Sequence, residues 1–123
     1  MPTSSVKHRD DFETMAGSGG CTWTLARKAL GTEAFGYNLV ELEPGGALPA
    51  HDESGSRQVE LYVVLDGEAI VVIDGEEHPA PAGTFASIEP DSERTLLNRS
   101  SAPVTALLFG TVPGPGYQPP SWA

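Results

Sequence analysis

The stretch GGALPAHDESGSRQVELYVVLDG, residues 45–67, and its continuation GTFASIEPDSERTLLN, residues 83–98, decide how this chain folds. In the first, Gly45 is followed after five residues by His51, then by Glu53, by Glu60 after six more, and by Gly67 after another six. In the second, Gly83 is followed after five residues by Glu89, then by Asp91, Arg94 and Asn98. Residues 58–65 and 68–74 are rich in Val, Leu, Ile and Tyr, which fit the pleated, half-buried surface of a strand. Asp66-Gly67 separates these two runs and Asp74-Gly75 closes the second. Asp-Gly tolerates the positive φ of a tight turn, so the pattern predicts a hairpin through Asp66-Gly67.

Working outward, residues 22–30, 34–43, 84–88, 93–97 and 104–111 read as further strands. Turns spaced by about 8–12 residues indicate an all-β sandwich or antiparallel barrel. The 14 glycines and 11 prolines suit short strands and tight turns better than a helical bundle. A chain of 123 residues provides one core. Its expected organisation is a polar N-terminal arm over 1–20, a barrel domain over 21–112 and a Pro-rich tail over 113–123. Residues 9–15 could add a turn of helix or a strand to the arm. Trp122 near the end of the tail suggests that the tail is docked.

The net charge of −10 opposes phosphate backbones and anionic membranes, and no basic stripe offsets it. Nucleic acid and membrane partners are therefore not expected. Cys21 is the only cysteine, which leaves no intrachain disulfide framework. Residues 1–15 are polar and charged, with no apolar leader segment. No apolar run approaches the roughly 18 residues of a membrane helix. A cytoplasmic protein is the simplest expectation.

The intervals resemble the two motifs of the cupin superfamily. The first family motif is glycine, five residues, His-x-His, three or four residues, glutamate, six residues, glycine. The second is glycine, five residues, Pro-x-Gly, two residues, histidine, three residues, asparagine. Gly45, His51, Glu60, Gly67, Gly83 and Asn98 fall on this pattern. Glu53 stands at the second histidine and Arg94 at the last one, and the spacer from Glu53 to Glu60 is longer than the family's. The resemblance implies a small single-domain jelly-roll cupin, all-β, and a homodimer.

It also implies a cavity. Alternate residues of a strand share a face, so Glu60, Tyr62 and Val64 point one way, as do Arg94, Leu96 and Asn98. If Glu60 and Arg94 face into the barrel, they meet His51 and Glu53 there, and Gln58 shares the face of Glu60. The family's usual metal site has three histidines and a glutamate. Here His51, Glu53 and Glu60 are the available donors for a divalent transition metal. The Arg94 guanidinium has no lone pair and repels a cation. No cofactor is therefore favoured, and Arg94 is expected either to pair with Glu60 or to serve an anion-binding cavity. His8 and His78 lie among charged residues and are read as exposed. Cys21 is read as a small buried residue.

Three functions follow. The first is a small polar or acidic metabolite bound in the cavity and transformed by proton transfer, in an isomerase, cyclase or lyase reaction. His51 and Glu60 would be the catalytic pair, and Arg94, Gln58, Tyr62 and Asn98 would bind the ligand. The second is a metal-dependent oxygenase or isomerase. The third is a binding or sensing module without catalysis.

Overall fold

A computed structural model describes residues 3–123. A 3-10 turn at Arg9–Asp11 precedes nine strands: β1 (Thr14–Ala16), β2 (Cys21–Thr24), β3 (Gly36–Leu42), β4 (Val59–Asp66), β5 (Glu68–Ile73), β6 (Glu76–Pro81), β7 (Phe85–Ile88), β8 (Arg94–Leu97) and β9 (Val104–Thr111). A single short helix, α1 (Ala26–Leu30), lies between β2 and β3. The strands form a six-stranded sheet in the order β1-β2-β3-β9-β4-β7 and a three-stranded sheet in the order β6-β5-β8, antiparallel throughout. The segment before β4 widens the smaller sheet, because Ala47 bridges to Leu97 and His51 to Arg94. The result is an antiparallel jelly roll.

Its core follows from alternation. In β9, Val104, Ala106 and Leu108 are buried while their neighbours are only partly so. They meet Val40 and Leu42 of β3, Tyr62 and Val64 of β4, and Val71 of β5 in one cluster. Each fully buried Val or Leu contributes about 1.5–3 kcal/mol, enough for several such residues to hold a small roll together.

The Asp66-Gly67 turn is not a hairpin. Strand β4 pairs with β9 and β7, whereas β5 pairs with β6 and β8. Asp66-Gly67 therefore carries the chain around a corner from one sheet to the other. Gly67 has φ of 86°, and a Cβ there would collide with the Pro103 carbonyl. A corner and a hairpin both require positive φ, so Asp-Gly alone does not separate them. Asp74-Gly75 does make a hairpin: Ile73 pairs with Glu76, and both turn residues have positive φ, 50° and 81°.

Two other segments differ from expectation. Residues 22–30 split into β2 and α1, since Ala-Arg-Lys-Ala-Leu are good helix formers and Gly31 stops the helix in the left-handed conformation at φ 75°. Residues 76–81 form a strand despite Pro79 and Pro81, because β6 is an edge and needs donors on one side only. Residues 9–15 supply both the helical turn and most of β1, which extends the larger sheet into the lead-in. The tail over 113–123 has no strand, and Trp122 is 85% exposed, so it is not docked on its own chain. Among the described residues no helix is long and apolar enough to cross a membrane.

Candidate functional site

A cavity of about 440 Å³ is lined by residues of β2, β3, β4 and β9 and of the segment 49–58. Its polar groups are His51, Glu53, Gln58, Glu60 and Tyr62, and its aromatic wall is Trp23. Tyr37 pairs with Phe109, and Phe109 with Leu61, on the opposite face of the sheet, where their rings meet Phe35. Glu60 and Tyr62 enter it because they alternate on one face of β4. Gly110 of β9 lies opposite Glu60 and Gly36 opposite Gly110. A Cβ at Gly110 would strike the Gln58 amide, so this glycine makes room for the polar side chains.

The His51 backbone exchanges two hydrogen bonds with Arg94, N to O at 3.1 Å and O to N at 2.8 Å. Its ring Nδ1 lies 2.9 Å from the Pro49 carbonyl. A carbonyl only accepts, so Nδ1 carries a proton, and Nε2 is the ring nitrogen left for the cavity. Nε2 stands 3.7 Å from Glu60 Oε1. Glu53 is set by the loop that carries it: its N–H donates to Pro90 O at 2.8 Å and its carbonyl accepts from Arg57 N at 2.7 Å. Between His51 and Glu53, Asp52 points outward and accepts from Ser54 N and Oγ, which hold its carboxyl below the usual range.

Arg94 is the buried cation of the site, its side chain wholly enclosed. Nη1 donates to Glu60 Oε1, Nε to Ser92 O at 3.0 Å and Nη2 to Glu89 O at 2.7 Å. Of the two roles open to it, the ion pair with Glu60 is the one formed. Arg94 lies behind Glu60 and is not among the cavity walls, so it fixes the carboxylate and does not reach a ligand. Tyr62 is 1% exposed, and its hydroxyl oxygen is closed off from solvent, with no hydrogen-bond partner among the described residues. Burial, and then the charge of Glu60, push its phenol up, so it stays a donor.

Asn98 is elsewhere. It is on the inner face like Arg94 but about 13 Å further along the strand, at roughly 3.3 Å per residue. Its Nδ2 donates to Leu42 O at 3.0 Å and Ala102 O at 2.8 Å, and its Oδ1 accepts from Ser100 N and Oγ. It ties loops together and has no capacity left for a ligand. His78 and His8 are exposed, and Cys21 is buried with its thiol on Ser18 O. The aromatic wall Trp23 was not foreseen, since only the folded sheet brings β2 to the same cavity as β4.

Residues 38–110 match the cupin domain family. The chain is a cupin. This cupin is 34% identical over 89 residues to a β-D-galactosidase of Mycobacterium tuberculosis, with 72% of each chain covered. It is similar in structure to a cupin-superfamily sugar phosphate isomerase of Silicibacter pomeroyi, at TM-score 0.74 and 29% identity, over 89% of this chain and 76% of that one. A predicted oxalate decarboxylase of Thermotoga maritima shares the fold at TM-score 0.75 and 20% identity, over 89% of this chain and 100% of that one.

The family resemblance raises a metal. His51, Glu53 and Glu60 each offer a ligand atom, and these atoms lie within 4.8 Å of one another. Imidazole with two carboxylates suits a divalent transition ion, and the fixed Nδ1–H leaves Nε2 free for it. The three residues fit such an ion, although Glu60 shares one oxygen with Arg94. When bound, the ion would act as a Lewis acid toward a ligand oxygen.

Proposed function

We propose that this cupin binds a small hydroxylated metabolite of sugar type in the cavity and transforms it by proton transfer. The observation that carries this is the His51–Glu60 pair on the cavity wall, with Nε2 3.7 Å from a pinned carboxylate. The sugar class draws on the β-D-galactosidase relative and the sugar phosphate isomerase neighbour. The polar groups and the Trp23 ring suit a hydroxylated ring, which presents both hydroxyls and an apolar face.

His51 Nε2 takes a proton from the ligand, and Nδ1–H stays on Pro49 O to keep the ring oriented. The imidazolium so formed stands beside the Glu60 carboxylate, which Arg94 keeps in place. In an isomerisation the proton leaves the hydroxyl-bearing carbon next to the carbonyl and returns from Nε2 to the former carbonyl carbon, while the proton of that hydroxyl passes to the former carbonyl oxygen, so that the carbonyl moves by one carbon.

A second chemistry, glycoside hydrolysis, is favoured by one further observation. Glu53 and Glu60 each bring a carboxylate oxygen into one group no more than 4.8 Å across, so the two carboxylates flank a single site, as in glycosidases. Glu60, paired with Arg94, would be the ionised partner and Glu53 the acid.

Incubation in D2O with a panel of aldoses, ketoses and aryl glycosides tests both. Deuterium gained next to a carbonyl reports isomerisation, and aryl alcohol released reports hydrolysis. Each is expected to disappear in His51→Ala or Glu60→Gln. A sugar that binds but returns unlabelled and uncleaved would leave a binding module, and a panel in which nothing binds would defeat the proposal.

A further inference from the structure

Among the described residues no lysine or arginine side chain faces the cavity. Of the seven Lys and Arg residues of the chain, Arg94 is enclosed behind Glu60 and committed to three acceptors. Arg57 pairs with Asp91 at 2.6 Å, Arg99 with Glu77 at 2.7 Å and Lys28 with Glu13 at 3.1 Å. Lys7 donates to Ala29 O and Arg27 to Thr32 O, while Arg9 lies beside Asp10. None of them is among the cavity walls. The cavity offers two carboxylates, Glu53 and Glu60, together with the Gln58 amide and the His51 ring.

Recognition of a phosphate or carboxylate needs a cation, a backbone N–H nest or a helix N-terminus. The one helix has five residues and contributes nothing to the walls. An anionic group in this cavity would lie beside Glu53 and Glu60 with no facing countercharge. A neutral hydroxyl meets a different situation. It can donate to either carboxylate and accept from the Gln58 amide, and a site built to pair hydroxyls rejects the analogue that lacks them.

From this arrangement we infer that the cavity selects an uncharged hydroxylated ligand and rejects the phosphorylated or carboxylated form of the same ring. The inference rests on the sugar-type function proposed above and narrows it. It separates this chain from the phosphorylated substrate class named for its structural neighbour, and it removes the acidic metabolite from the expected ligands.

The test is calorimetric titration of the full chain with matched triplets: galactose, glucose and mannose, each with its 6-phosphate and its uronic acid. It is run after EDTA treatment, so that no stray cation bridges an anion to the carboxylates. The neutral member of at least one triplet is expected to bind about tenfold or more tightly than both anions. In Glu53→Lys the order should invert, with the 6-phosphate gaining relative to the parent sugar. A phosphate or uronic acid that binds the wild type as tightly as its parent overturns the inference and leaves the sugar-type function standing. Binding of no member of any triplet overturns both.

Discussion

Arg94 and Glu60, 34 residues apart in the chain, meet inside the roll as an ion pair whose guanidinium also holds the Ser92 and Glu89 carbonyls. The cation is wholly buried and the carboxylate sits at the cavity edge, so the pair shapes the site without exposing positive charge to it. Removing one partner of a buried pair costs about 3–5 kcal/mol, chiefly because the other charge is left uncompensated. Arg94→Met is expected to destabilise the fold by that order, measured by urea denaturation. Adding Glu60→Gln should recover part of the loss. Recovery stays incomplete because the two carbonyls still lack their donor. An Arg94→Met protein that melts like the wild type would contradict the enclosed geometry.

Tyr62→Phe removes a hydroxyl that makes no bond within the protein. Deleting an unsatisfied buried group is neutral or stabilising, so the melting midpoint is expected to stay put or rise. Ligand affinity is expected to stay unchanged, because the hydroxyl oxygen is closed off from the cavity. Thermal melts and calorimetry on the same samples check the two together. A fall in stability with unchanged affinity would show that the hydroxyl serves the fold.

Asn98→Ala should lower the stability instead. It leaves the Leu42 and Ala102 carbonyls without their donor, at about 1–3 kcal/mol for each buried group. Chemical denaturation should show the loss, and ligand affinity at the distant cavity should be unchanged. Weakened binding in a variant that remains folded would return Asn98 to the site.

The frame of the roll was legible because its glycines are obligatory. Gly45, Gly67 and Gly83 all have positive φ, 81°, 86° and 93°, so their intervals measure the chain between turns. The Arg94–Glu60 encounter was legible for a similar reason, since strand alternation fixes which face each side chain takes. Alternation does not say how far a side chain reaches. It placed Asn98 on the inner face correctly and gave no sign that the loops would consume its amide. It put Arg94 inside without showing that Glu60 would stand between it and the cavity. Whether Asp66-Gly67 turns back or turns a corner depends on which strands β4 and β5 find elsewhere. The partners of Trp23, Tyr37 and Phe109 are likewise non-local.

The same Arg94 decides how firmly a metal can be held. His51, Glu53 and Glu60 give three donors within 4.8 Å, but the guanidinium bonded to Glu60 both occupies an oxygen and repels a cation. The purified chain is therefore expected to carry well under one transition ion, and added zinc or manganese should bind at a single site that EDTA empties. His51→Ala should abolish that site, because it removes the imidazole donor and leaves two carboxylates of which one is already paired. Elemental analysis after dialysis and a calorimetric metal titration measure both quantities. One ion per chain that survives EDTA and is lost in His51→Ala would show that the ion, and not the His51 lone pair alone, organises the cavity.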